Sequence, residues 1–137
     1  MAWSTPRTWV TDEVVTAAYM NAVRDDLAFL KGEDWQTPSL INGWAAYGSP
    51  YYGPRYKQVG KLVILRGLAQ SGTVSTTPAT GAIFILPTGY RPAERMAFAV
   101  QSNNLFGRCD VTEIGEVVAY VGSNVWFSLS TVKFPVI

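Results

Sequence analysis

The residue types that most often carry catalysis are scarce in this chain. Its 137 residues include no His and one Cys, Cys109. Ser-His-Asp and Cys-His arrangements both need His, and the common zinc sites need several His or Cys ligands. A lone Cys also cannot form a disulfide within the chain. These absences exclude most familiar hydrolases and leave paired carboxylates as the remaining acid-base device.

Four carboxylates follow residue 34: Glu94, Asp110, Glu113 and Glu116. Their spacing in the sequence does not bring any two together as a catalytic pair, so we interpret them as solvated surface groups. Cys109 alternates with polar neighbours on a strand-like segment, which favours a small buried hydrophobe over a nucleophile. We therefore predict that the chain is not an enzyme and has no catalytic residue, no metal site and no cofactor.

Composition predicts an oligomer. Charged residues make up 15% of the chain and hydrophobic residues 48%, whereas charged residues average about 25% in soluble domains. A small protein has much surface for its volume, so this deficit indicates that other subunits cover part of it. The net charge of +1 provides no strong field for nucleic acid or an anionic membrane. We also expect neither membrane insertion nor export by a signal peptide.

Charge divides the chain near residue 34. Residues 1–34 hold three basic and six acidic side chains, a net charge of −3, and residues 35–137 hold eight basic and four acidic ones, a net charge of +4. Residues 2–15 carry Trp3 and Trp9 without a clear period, which is typical of a segment that adheres to a partner. We predict an N-terminal anchor peptide and helical stalk over 1–34, and a β head domain over 35–137.

The stalk is predicted as a helix that begins after Thr16 and ends at Lys31. Thr16 is a suitable N-cap, and Gly32 supplies the stop signal. Four apolar residues follow at spacings of 3, 4 and 3, which are successive a and d positions of a heptad: Met20, Val23, Leu27 and Leu30. They predict a coiled-coil seam between subunits, or alternatively an amphipathic helix folded back on its own head. An isolated helix of about fifteen residues is marginal in water, so one of these partners must hold it.

The head is predicted to be mainly β. After a turn-rich aromatic segment over 35–54, which we interpret as a linker or an irregular first layer, seven segments alternate or form short apolar runs: 55–59, 61–68, 82–86, 95–101, 108–114, 117–121 and 125–134. Without helical patterns between them, they favour an antiparallel β-sandwich or a jelly-roll-like barrel. In the last segment we expect one set of residues to face the core, namely Val125, Phe127, Leu129 and Thr131. The opposite face then holds Trp126, Ser128, Ser130 and Val132.

Two groups of residues in the head have the chemistry of a sugar-binding site. The first is the aromatic cluster Trp44, Tyr47, Tyr51, Tyr52 and Tyr56. Aromatic faces can stack on sugar rings while hydroxyl and amide groups supply hydrogen bonds. The alternative is that these rings cover an open sheet edge or pack between subunits.

The other group is Asn103, Asn104 and Phe106, which we place in a loop together with Gln101 and Ser102. Loops held on a rigid β scaffold are where binding usually resides. We take Asn103, Asn104 and Phe106 as the first candidates for glycan contact. Tyr51 and Tyr52 are the next candidates.

Several short stretches of the chain form recognisable motifs. In the first 34 residues they are Thr8-Trp9-Val10, residues 13–18, Asn21, Arg24-Asp25-Asp26-Leu27 and Leu30-Lys31. Further along they are Trp35-Gln36, Asn42-Gly43-Trp44, Tyr47-Gly48, Tyr56, Val63, Leu65-Arg66-Gly67, Leu86-Pro87 and Gly89-Tyr90-Arg91-Pro92. The motifs of the first 34 residues resemble an N-terminal motif of small structural proteins of tailed bacteriophages. Those further along are similar to the C-terminal β domain of phage tail and fibre proteins.

The resemblance implies a homotrimer with a short helical stalk and a β head, located on the virion, at the tail or capsid surface, after assembly in the host cytoplasm. Given this resemblance, we predict that Trp3 and Trp9 anchor the chain to other virion proteins. Two functions remain open: a tail-tip or fibre component that attaches to the host surface, and a capsid or tail decoration protein, such as a head fibre, without essential receptor binding. An enzyme acting on surface polysaccharide ranks third, because no paired carboxylates can be located.

Overall fold

A computed structural model describes residues 4–136. Trp3 of the predicted anchor lies outside the described residues. The first element is helix α1, Ala17–Lys31, with the bounds that the sequence predicts.

Local signals set both ends of α1. The Thr16 side chain accepts a hydrogen bond from the Tyr19 N–H at 3.3 Å, which satisfies one of the free donors of the first turn. Gly32 follows the last turn with φ 81°, and its N–H donates to the Ala28 carbonyl. A positive φ is readily adopted by glycine, so the helix ends there.

The head is mainly β. The elements that follow α1 are β1 (Ala45–Ala46), β2 (Arg55–Val59), β3 (Leu62–Arg66), β4 (Leu68–Gln70), the short helix α2 (Pro78–Gly81), β5 (Ala82–Ile85), β6 (Met96–Ser102), β7 (Leu105–Val111), β8 (Glu116–Val121), β9 (Phe127–Ser128) and β10 (Lys133–Pro135). They form a seven-stranded antiparallel sheet of order β1-β4-β9-β6-β7-β8-β5 and a three-stranded sheet of order β10-β3-β2. This arrangement confirms the predicted antiparallel β-sandwich.

The predicted strand over 61–68 is two strands, because the chain changes sheets at Gly67. Gly67 has φ 107°, and a Cβ atom there would lie 2.2 Å from the Gly53 carbonyl oxygen. Only glycine fits this close approach of two backbones. On either side of it, β3 pairs in the small sheet and β4 in the large one.

The last predicted strand, over 125–134, is also interrupted. Phe127 and Leu129 are buried as expected, but Val125 and Thr131 are exposed and Val132 is buried instead. A turn closed by a 3.1 Å hydrogen bond from the Val132 N–H to the Leu129 carbonyl separates β9 from β10. This turn shifts the alternation by one residue, so the predicted single phase is wrong beyond Leu129. The prediction is also wrong for Val125, which lies in a bend before β9 begins.

Three smaller differences concern boundaries. Strand β7 begins at Leu105 rather than Arg108, a short helix α2 lies where no helical pattern was expected, and the segment over 35–54 contributes strand β1. Helix α2 has four residues and β1 has two, and elements this short are set by contacts with distant parts of the chain more than by their own sequence.

The core lies between the two sheets. The rings of Tyr56 and Phe84 stack with centroids 6.2 Å apart, and Phe98 and Phe134 meet at 6.3 Å, so each contact joins the small sheet to the large one. Cys109 is fully buried among these side chains, and burial raises the pKa of its thiol above the ordinary value. The prediction of a small buried hydrophobe is confirmed.

Candidate functional site

A polar and aromatic groove of about 530 Å³ lies across the large sheet, where β4, β6 and β9 meet. Its lining combines aromatic rings, amides and hydroxyl groups: Tyr47, Tyr51, Trp126, Gln101, Asn104, Ser128 and Ser130. This mixture offers flat apolar faces beside hydrogen-bonding groups. It is the chemistry that a carbohydrate requires, since a sugar has both an apolar ring face and many hydroxyls.

Asn104 enters the groove from the β6–β7 hairpin. Asn103 and Asn104 have φ 50° and φ 63°, and Ser102 pairs with Leu105 across them. Two central residues with positive φ are the pattern of a type I′ turn, in which Asn is favoured. The predicted loop is therefore wrong in extent, because Ser102 belongs to β6, the turn is two residues long, and β7 begins directly after it.

The two tyrosines of the groove lie on the segment after β1. Their rings meet edge to face with centroids 5.6 Å apart. The Tyr47 N–H donates to the Leu68 carbonyl at 3.0 Å, and the Tyr51 N–H donates to the Gly48 carbonyl at 3.0 Å. The first bond attaches the segment to β4 and the second closes a turn within it, and both rings lie at one wall of the groove.

Tyr52 is separated from its neighbour Tyr51. The Arg66 guanidinium lies over the Tyr52 ring at 4.1 Å and over the Trp35 ring at 4.3 Å. Tyr52 therefore packs in a cation–π stack and is not among the residues of the groove. The predicted aromatic cluster is divided further, since Trp44 and Tyr56 are buried in the core.

Phe106 lies beside the groove. It pairs with Gln101 across the β6–β7 hairpin, and paired residues project from the same face of a sheet. Its side chain is 88% exposed. Of the predicted contacts, the structure brings Tyr51 and Asn104 together, places Phe106 on the adjoining strand and Asn103 in the turn, and separates Tyr52.

Trp126, Ser128 and Ser130 were not predicted as site residues. The alternation over 125–130 already places these three on the face opposite the core residues Phe127 and Leu129. A tryptophan among serines on an outward face is the signal that could have identified them. The Asn-Asn pair between two strand patterns likewise signals a tight turn.

The apolar stripe of the stalk is uncovered in the single chain. Met20, Val23, Leu27 and Leu30 are between 43% and 62% exposed, and α1 has no buried residue. In the single chain this stripe does not pack on the head, which argues against the fold-back alternative. The seam between subunits stays a prediction.

The N-terminal segment lies along α1 beside this stripe. Ser4 donates to Asp26 through its N–H and its hydroxyl, at 2.9 Å and 2.6 Å, and these bonds lower the pKa of Asp26. The Trp9 and Tyr19 rings meet edge to face at 5.5 Å, and the Arg7 guanidinium lies over Tyr19 at 3.8 Å. Trp9 is still 46% exposed, so it is accessible to a partner.

Glu33 joins the stalk to the head. Its carboxylate accepts hydrogen bonds from the Gln58 N–H at 3.1 Å and from the Tyr90 hydroxyl at 2.7 Å. Burial, together with the nearby Glu33 charge, raises the pKa of Tyr90 to about 12. The Gly60 N–H also donates to the Phe29 carbonyl at 3.1 Å. The end of α1 is therefore held at the β2–β3 turn.

The interpretation of Asp110 as a solvated surface group is wrong. Its side chain is fully buried, and it binds the guanidinium groups of Arg95 and Arg108. Glu94 and Glu113 are exposed. Within residues 4–136, no group of three His, Cys, Asp or Glu side chains is placed to hold a metal ion.

Over the same described range, α1 and α2 are each too short or too polar to span a bilayer as a helix.

No family model matches the chain, and no curated protein matches it. The fold is similar to a solved structure, the crystal structure of the receptor binding protein (gp15) of Listeria phage PSA. The two have a TM-score of 0.59 and 24% sequence identity over 90% of this chain and 80% of that chain. At this identity the likeness shows a common fold.

Proposed function

We propose that the chain is a bacteriophage virion protein, a tail-tip or fibre component that attaches to the host surface through its β head. The observation that carries this proposal is the fold shared with a phage receptor binding protein over most of both chains. The motifs of the first 34 residues, which resemble those of small phage structural proteins, support the virion location. The groove supplies a surface suited to recognition.

The position of the groove supports a role in attachment. The stalk meets the head at the β2–β3 turn, where Gly60 contacts Phe29. From that turn, β3 runs about 14 Å, at 3.4 Å per residue, before the chain reaches Leu68 at the edge of the groove. The groove therefore lies toward the end of the head that is remote from the stalk, which is the end that a fibre presents to its receptor.

The groove chemistry favours a glycan as the receptor. Tyr51 and Trp126 offer ring faces for the apolar side of a sugar, and Gln101 and Asn104 offer amide donors and acceptors for its hydroxyls. A groove open to solvent holds one sugar weakly. Three heads on one trimer would bind a repeating polymer with useful avidity.

We propose that the chain forms a homotrimer, because the apolar stripe of α1 is exposed in the single chain. A helix of 15 residues with none buried is marginal alone, and burying the stripe of three copies together would stabilise it as a coiled coil. The low charge content of the chain supports the same assembly.

The alternative is a capsid or tail decoration protein without essential receptor binding. It would be favoured if the groove were covered by a neighbouring subunit, since its aromatic rings would then be an interface. Electron microscopy of intact particles with a labelled antibody to the head distinguishes the two. Label at the tail tip supports the proposal, and label over the capsid contradicts it.

Adjacent tyrosines provide a matched test of glycan binding. Tyr51→Ala removes a ring from the groove, whereas Tyr52→Ala removes an exposed ring outside it. We expect Tyr51→Ala to weaken binding to host cells or to an immobilised glycan about tenfold per head, which corresponds to one aromatic contact of about 1.4 kcal/mol. Tyr52→Ala is expected to bind like the wild type.

The test of Asn104 needs a substitution that keeps the backbone conformation of the turn. Asn104→Ala would strain the turn, because φ is 63° there. Asn104→Gly removes the amide and keeps the turn, so it should weaken binding without lowering the melting temperature. Equal binding by the wild type, Tyr51→Ala and Asn104→Gly would contradict the groove as the receptor site.

A further inference from the structure

An ion cluster lies on the outer face of the large sheet, at a distance from the groove along the β6–β7 hairpin. Asp110 is fully buried there, and its carboxylate accepts hydrogen bonds from Arg95 Nε at 2.7 Å and from Arg108 Nε at 2.7 Å. The Nη2 atoms of Arg95 and Arg108 also contact Asp110 Oδ2, at 2.6 Å and 3.0 Å. A buried carboxylate is costly unless paired, and here two cations pair with one anion.

The two guanidinium groups are fixed in position by Asp110 but remain partly exposed to solvent. Their side chains are 38% and 47% exposed, and both lie over the Tyr120 ring, at 5.4 Å for Arg95 and 4.2 Å for Arg108. Within residues 4–136, their hydrogen bonds use Nε and Nη2, which leaves each Nη1 available to a ligand. The cluster therefore presents one excess positive charge on rigid donors.

Rigid arginines suit the binding of an oxyanion. A free arginine loses rotamer freedom when it binds, whereas one fixed by a carboxylate and a ring loses less. The planar fork of donors also matches carboxylate and phosphate groups. Asp110 is a positioning residue in this arrangement, because it acts through the two arginines.

The cluster and the groove share one face of the sheet. Along the β6–β7 hairpin, Gln101 pairs with Phe106, Ala99 with Arg108, and Ala97 with Asp110. These alternate pairs project from the same face. From Gln101, at the groove, to Ala97, beside the cluster, is four residues, or about 14 Å. On this face of β6 the side chain between them is the small, exposed Ala99, which does not block the way along the strand.

We infer that Arg95 and Arg108 form an anion subsite that takes a carboxylate or phosphodiester group of an acidic polysaccharide whose neutral sugars occupy the groove. The use of the subsite in attachment rests on the proposed function. The binding of an oxyanion by the arginine pair does not, so the two parts can fail separately.

The first test uses the wild-type protein and small probes. Glucuronate supplies a carboxylate, dimethyl phosphate supplies a phosphodiester, and methyl glucoside is the neutral control. The readout is the NMR signal of each arginine Nε–Hε group. We expect saturable shifts of the Arg95 and Arg108 signals with at least one acidic probe and none with methyl glucoside. The probe that binds more tightly identifies the source of the anion.

The next test uses matched charge removal. Arg108→Gln leaves Arg95 on Asp110, whereas Lys133→Gln removes one charge from an exposed position of the other sheet. We expect Arg108→Gln to weaken binding of the acidic probe about tenfold, as for the loss of one charged hydrogen bond, and Lys133→Gln to leave it unchanged. If Arg108→Gln does not fold, the wild-type NMR titration decides the matter alone.

The outcomes separate the two proposals. If neither acidic probe shifts the arginine signals, or if Lys133→Gln weakens binding as much as Arg108→Gln, the subsite is overturned while glycan binding in the groove is untouched. If the acidic probe binds at the pair and no glycan or cell binds the groove, the subsite is supported and the attachment function fails.

Discussion

At the scale of residues, the chain separates side chains that are neighbours in the sequence. Tyr51 lines a groove and Tyr52 packs on Arg66, while Cys109 is in the core and Asp110 is buried on the opposite face of the same strand. Alternation along strand β7 separates Cys109 from Asp110, whereas Tyr51 and Tyr52 diverge at a bend between β1 and β2. Adjacent positions therefore make matched controls for each other.

The raised pKa of Tyr90 predicts that the folded protein loses stability at alkaline pH. Its folded pKa is about 12, against an ordinary value of 10.0, because burial disfavours the phenolate and Glu33 adds a negative charge. The raised pKa means that the Tyr90 contribution to stability is complete below pH 10 and is lost as the pH rises through about 12. An ultraviolet titration should show a late phenolate component that is smaller in Tyr90→Phe.

Glu33→Gln is expected to move this late component toward lower pH, since it removes the negative charge beside Tyr90. Tyr51→Phe is the control, because it removes a phenol that is exposed in the groove. Titration of all seven tyrosines in one step near their ordinary pKa would contradict the assignment.

At the scale of elements, α1 differs from the long strands of the head because it has no buried residue. Its ends are held by Thr16 and by the contacts of Glu33 and Phe29 with the β2–β3 hairpin. The apolar stripe stays exposed along its whole length among the described residues of the single chain. The stability of the stalk is therefore expected to depend on assembly.

Leu27→Asp tests the proposed seam. It would place three carboxylates at the centre of the stalk, and a charge buried without a partner costs about 3 kcal/mol or more. We expect light scattering to give three times the 15.0 kDa chain mass for the wild type and a smaller mass for this variant at micromolar concentration.

Asn21→Asp is the matched control, because it adds the same charge at an exposed position outside the stripe. It should assemble like the wild type. A monomer mass for the wild-type protein at the same concentration would refute the trimer.

At the scale of the whole molecule, the proposed function divides the chain between two partners: virion proteins at the N-terminal end and the host surface at the far end of the head. Between them, the junction at Glu33 connects stalk and head through hydrogen bonds to Gln58 and Tyr90. A defined junction would keep the grooves of three heads in a fixed arrangement, which avidity requires.

Removal of residues 2–15 tests the anchor. Thr16, the N-cap of α1, is kept, so the helix should still form. The deletion removes the contacts of Ser4 with Asp26 and of Trp9 with Tyr19. We expect a folded trimer that no longer joins particles, measured by incorporation of the truncated protein into virions. Incorporation equal to that of the full chain would show that the anchor lies elsewhere.

Much of the fold was predictable because its signals are local. The bounds of α1 follow from Thr16 and Gly32, and β2 has the predicted bounds of 55–59. The predicted sandwich follows from short β segments separated by turns. In the site, Tyr51 and Asn104 were predicted as candidates, and the outward alternation of Trp126 and the neighbouring serines was visible.

The sequence by itself thus determined where the helix lies, that the head is an antiparallel β-sandwich or jelly-roll-like barrel, and which residue types recognition could use. Tertiary structure decided which of them meet. The backbone approach at Gly67 moves the chain between sheets, and the turn at Leu129 changes which side chains are buried. Strand pairing brings Arg95 to Asp110, which Arg108 also contacts from two residues away on the same strand. Local periodicity assigns each residue to one face of its strand, but it does not say which distant strand becomes the neighbour.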